Sequence, residues 1–130
     1  MIRTLTILLF TISIGLLNSC MTKEERLIIE HYEGTYSGIH VKTWCCDNLG
    51  HIAYDTSAAF LEVKKRSGGI KITGVEVFQK FELNDSTFSC ESKDGQEWAN
   101  GRFHANDSIS IAVFFSPKLP NAHYYMVTKN

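Results

Sequence analysis

From residue 34 to residue 130 the chain meets a turn signal about every eight to twelve residues, which leaves no room for a helix to cross between parallel strands. The signals are Ser67-Gly68-Gly69, Asn84-Asp85-Ser86, Lys93-Asp94-Gly95, Asn106-Asp107-Ser108 and the stretch from Ser116 to Asn121. Each combines Gly, Asn, Asp, Ser or Pro, the residues that tolerate or enforce turn geometry. Consecutive strands must then pair with their neighbours in antiparallel fashion.

The segments between the turns carry strand patterning. Gly69–Thr73 and Ser108–Phe115 alternate apolar and polar residues and are rich in β-branched and aromatic types. Further strands are predicted at Thr35–Lys42, Ala58–Arg66, Val75–Leu83, Thr87–Ser92, Glu97–His104 and His123–Lys129. The words Phe81-x-x-Asn84-Asp85-Ser86 and Phe103-x-x-Asn106-Asp107-Ser108 repeat and predict equivalent hairpins two strands apart. About eight such strands do best by closing on themselves, since closure removes exposed edges. The expected fold class is therefore all-β, a small antiparallel up-and-down barrel or curled meander, with a two-sheet sandwich as the competing architecture. In strand pattern the region 34–130 resembles a short lipocalin-like, calycin-type barrel, with Gly34-Thr35-Tyr36 standing where that family opens its first strand with Gly-x-Trp. The resemblance implies a binding protein with room for a small apolar ligand.

The N-terminus reads differently. Met1-Ile2-Arg3 is followed by an apolar stretch from Leu5 to Leu17, too short for a stable span of the bilayer and suited to a cleavable signal over 1–19. It ends in Leu17-Asn18-Ser19-Cys20, which resembles the bacterial lipobox. The resemblance implies cleavage before Cys20, lipidation of that cysteine, and anchoring in the outer membrane or cell envelope, on the periplasmic face or the cell surface. Lys23-Glu24-Glu25 close behind it is similar to the surface-export signal of some Gram-negative lipoproteins. Residues 20–33 then form a tether and a short helix: Thr22 and Glu25 fit a capping box, and Leu27, Ile28, Ile29 and Tyr32 give the helix one apolar side. This helix is expected to lie between the anchor and the domain and to close one end of it.

Charge narrows the partners. Arg3 is the only one of 13 Lys and Arg in the leader, so the rest keeps a slight acidic excess against 14 Asp and Glu. Nothing in that balance favours nucleic acid. An oxidising envelope favours pairing of thiols, and Cys90 is expected to bridge Cys45 or Cys46, with parity along the strand favouring Cys45. The segment from His40 to His51 concentrates two His, two Cys and an Asp. Adjacent cysteines ligate one ion poorly, so the segment is read as a stapled loop, with no metal and no cofactor expected. His31, His104 and His123 are expected at the surface or at barrel ends.

No catalytic residue is assigned: the chain has no Gly-x-Ser-x-Gly, no His-Glu-x-x-His and no phosphate-cradling glycine loop. The functional expectation is a non-enzymatic, envelope-anchored binding or interaction module for a small apolar ligand or an envelope protein. Contacts are expected from Tyr36, Trp44, Trp98, Phe115 and Tyr124. Two alternatives accompany it. Tyr124-x-x-x-Thr128-Lys129-Asn130 is similar to a motif of the lysozyme-inhibitor lipoproteins and implies a protein inhibitor. A spare thiol beside Asp47 and His51 would suit a thiol- or metal-dependent enzyme.

Overall fold

A computed structural model describes residues 22–46, 48–75, 77–115 and 121–130. The signal segment 1–19, Cys20 and Asp47 lie outside these residues. One helix, α1 (Lys23–Tyr32), precedes eight strands: β1 (Gly34–Cys45), β2 (Ile52–Arg66), β3 (Gly69–Thr73), β4 (Lys80–Asn84), β5 (Thr87–Glu91), β6 (Glu97–His104), β7 (Ser108–Phe115) and β8 (Ala122–Lys129). Each strand pairs antiparallel with the next, and β1 pairs with β8, so the sheet is a closed up-and-down barrel.

The two Asn-Asp-Ser words form the β4–β5 and β6–β7 turns, with Asp85 and Asp107 both in the left-handed region at φ 54° and 59°. Asp is one of the few residues that enters that region readily, which is why the words recur. At the Lys93-Asp94-Gly95 turn the Ser92 hydroxyl and the Gln96 N–H both donate to Asp94, holding its carboxyl below the usual range.

Two strand boundaries differ from those predicted. The first hairpin is longer: β1 runs on to Cys45 and β2 begins at Ile52, so most of the expected loop is paired strand. The fourth strand is shorter and starts at Lys80. Gly74 (φ 103°) and Val77 (φ 73°) turn the chain away from extended geometry ahead of it.

Alternate residues point into the barrel and are buried: Tyr36 on β1, Leu61 and Val63 on β2, Ile70 and Ile72 on β3, Phe81 on β4, Phe88 on β5, Phe103 on β6, Ile109, Ile111 and Val113 on β7, and Tyr125 and Val127 on β8. Phe81 meets Phe88 edge-on at 5.3 Å between centroids, and Phe88 meets Phe103 at 5.0 Å. Gly101 lies opposite Phe88, and its missing side chain is the space that the Phe88 ring fills. An eight-stranded barrel is just wide enough for its inward side chains to fill it, and these do.

Helix α1 closes the lower end. Its capping box forms as predicted, Thr22 Oγ1 accepting from the Glu25 N–H and the Glu25 carboxylate accepting from the Thr22 N–H. Ile29 is fully buried against the barrel core, and Tyr32 stacks on Phe103 at 4.5 Å. The Tyr32 hydroxyl donates to the His104 carbonyl (2.6 Å), His31 pairs with Asp107 (2.8 Å), and Lys129 donates to the His31 carbonyl (2.6 Å).

Candidate functional site

Of the five predicted contact residues, Tyr36 is corrected. It is fully buried and its hydroxyl donates to the Tyr32 carbonyl at 2.6 Å, joining the barrel to its helix. Burial, with Asp107 nearby, pushes its pKa up to about 12. The Gly34-Thr35-Tyr36 opening therefore serves the closed end. Phe115 points inward with its ring edge-on to His123 (5.4 Å), and Trp44 stands near the tip of the β1–β2 hairpin, partly exposed. Trp98 and Tyr124 face outward, where Phe114 joins them: it stacks on Trp98 at 5.5 Å and meets Tyr124 edge-on at 6.2 Å.

The cysteine expectation is also corrected. Cys45 and Cys46 pair with each other at the end of β1, and Cys90 is a free thiol. The barrel order explains this: β5, which carries Cys90, stands four strands from β1 in either direction. Neighbouring strands are about 4.8 Å apart, so positions on opposite walls lie beyond the roughly 7 Å that a disulfide can span between Cα atoms. Burial pushes the Cys90 thiol up to about 11, the opposite of the shift that activates a nucleophile. At pH 8 the reaction of Cys90 with a neutral thiol reagent is expected to run about 100-fold slower than that of an unperturbed cysteine. Timed alkylation followed by mass measurement checks this, and a rate matching the free amino acid would overturn it.

His123, expected at the surface, is 5% exposed. Its Nδ1 shares a hydrogen bond of 2.7 Å with His40 Nε2, and the His40 ring stacks on Tyr125 at 4.4 Å. The sequence hides this pair, because strands one and eight become neighbours only when the barrel closes. Among the described residues no group of three or more His, Cys, Asp or Glu gathers as a metal site.

With the lumen filled, the largest concavity lies on the outside. A groove of roughly 1100 Å³ runs across the outer face, from β4 and β5 over β6, β7 and β8 to β1 and β2. Its lining side chains sit at the positions that alternate with the core. One end is apolar, formed by Val41, Ile52, Tyr54, Ala112, Tyr124 and Met126. The other end carries Asn84, Thr87, Ser89, Asn100 and Ser110, with Arg102 as the cation. The register sets these rows side by side, for Met126 is opposite both Ile39 and Ser110, and Tyr124 opposite both Val41 and Ala112. Trp98 lines a smaller groove of roughly 590 Å³ beside it, with Arg66, Lys80, Glu82 and Glu91.

Fold and site together define a small, closed eight-stranded barrel with a packed interior and an amphipathic outer groove. Compared with known proteins, the chain matches no family model, no curated protein and no solved structure.

Proposed function

We propose that this protein is a non-enzymatic binding module whose outer groove takes an amphiphile with an acidic head and an apolar tail, tethered to the bacterial envelope by a lipid on Cys20. The observation that carries the reading is the division of the groove. The tail would lie along Tyr54, Val41, Tyr124 and Met126, where burial of apolar surface drives association. The head would meet Arg102 among hydroxyl and amide side chains, which supply orientation. The filled interior supports placing the ligand outside, where the lipocalin-like resemblance would have placed it within. The anchor rests on the lipobox resemblance, and the inhibitor alternative gains no comparable support, since Lys129 is engaged in holding the helix.

The test is a titration of the chain from residue 22 onward with dodecanoate, below the concentration at which it self-associates, read by calorimetry. One site of micromolar affinity is expected. Met126→Asp, which puts a charge beside the tail on an already exposed position, is expected to weaken binding about tenfold or more, and Arg102→Glu by a similar factor. Unchanged affinity in both variants would remove the groove as the site.

A further inference from the structure

The barrel closes through its lower half only. Strand β2 has 15 residues, yet β3 pairs with no more of it than Glu62–Arg66. Above that point β2 is an open edge with β1 on its other side. Two contacts show which backbone groups face the opening. A side chain on Gly74 would strike the Phe60 carbonyl, so that carbonyl points away from β1, whereas the Lys65 N–H reaches Glu33, which leads into β1. Successive residues of an antiparallel strand present their N–H and C=O to alternate sides. The odd positions of β2 therefore serve β1, and Ile52, Tyr54, Thr56 and Ala58 present theirs to the open side.

The same even positions carry their side chains on the outer face, and three are large, apolar and exposed: Ile52 at 57%, Tyr54 at 73% and Phe60 at 73%. An unpaired edge with such a face is a template for another strand. The edge is also self-complementary. Pairing two copies antiparallel about Thr56 sets Tyr54 against Ala58, Thr56 against Thr56 and Ile52 against Phe60 on the outer face. On the other face it sets Asp55 against Ser57 and Ala53 against Ala59. Shifting the centre to Asp55 would place that carboxylate opposite its own copy, which is destabilising. Shifting it to Ser57 would need Phe60 as a ladder partner, where Gly74 already stands.

We propose that the β2 edge from Ile52 to Ala58 is a homodimer interface, in which two copies pair antiparallel about Thr56 and join their β8–β1–β2 faces into one six-stranded surface. This goes beyond the groove reading and does not depend on it.

The test uses the full chain with Thr56→Cys, oxidised with copper phenanthroline in the membranes where it is made. Opposed residues of a hydrogen-bonded antiparallel pair lie about 5.5 Å apart at Cα, within disulfide reach. The expected product has twice the chain mass, with the peptide that carries the introduced thiol joined to its own copy. It should be absent from the unsubstituted chain and from Lys71→Cys on β3. In the Thr56→Cys background, Ser57→Asp puts two carboxylates opposite Asp55 and is expected to lower the linked fraction about two- to tenfold. Ser57→Lys is expected to raise it. Both changes fall on an exposed position, so the fold is retained. Absence of a disulfide between the two introduced thiols, a link to a different protein, or equal yields from the Asp and Lys variants would overturn the proposal.

Discussion

Phe88→Ala is expected to lower the free energy of unfolding by about 3–5 kcal/mol, a large share of the 5–15 kcal/mol typical of a domain. The ring is 2% exposed and sits between Phe81 and Phe103 with Gly101 beneath it, so its removal leaves a cavity that no neighbour can enter without leaving a rotamer minimum. Urea unfolding reads the effect as a lower midpoint at unchanged slope. The paired change sharpens it. Gly101→Val alone drives a side chain into the Phe88 ring and is expected to cost about 1–3 kcal/mol. Combined with Phe88→Ala, it should restore part of the loss, because the new methyls occupy the vacated space. Additive losses in the double variant would mean that the two residues do not share one packed site.

Ile29→Ala is expected to release helix α1 from the barrel at a cost of about 2–5 kcal/mol. Ten residues are too few for a helix to persist alone in water, and Ile29 is the residue of α1 buried against the core. The remaining ties are at the rim: Tyr32 to the His104 carbonyl, His31 to Asp107, and Lys129 to the His31 carbonyl. Exposed pairs of that kind contribute about 1 kcal/mol or less each and do not hold a helix that has lost its apolar contact. Hydrogen exchange by mass spectrometry should show residues 23–32 losing protection while β6 and β7 keep theirs. Retained protection over the helix would show that the rim bonds suffice.

Much of this fold is legible in the sequence because its turns are local chemistry. Asp85 and Asp107 occupy the same left-handed position in two equivalent hairpins, and the alternation from Ser108 to Phe115 separates core from surface residue by residue. The first hairpin is less legible. From Thr43 to Ser57 apolar residues fall on both parities, and only pairing with β1 makes that stretch a strand. Ahead of β4 the apolar residues Val75, Val77 and Phe78 suggest a strand, but Gly74 and the positive φ of Val77 break it. The partner of Cys90 was unreadable because it depends on barrel order, and so was that of His40, whose strand meets β8 only through closure.

The groove is a sum of outward positions from seven strands, each ordinary alone. Tyr124 and Trp98 were visible as aromatics; Met126, Arg102 and Tyr54 were not, since nothing in their neighbourhoods distinguishes them until the sheet is rolled. Tyr36 misled for the converse reason, since a strand-opening aromatic looks the same whether it guards a mouth or plugs an end.

Relaxation of side-chain methyl signals by a nitroxide-labelled fatty acid tests the central claim most directly, because inner and outer faces of the same strands carry distinct methyls. Broadening is expected at Met126, Val41 and Ile52, with Val113, Val127 and Ile72 spared. Broadening of Val113 and Val127 with Met126 unaffected would place the ligand inside the barrel and contradict a filled lumen with an outer binding face.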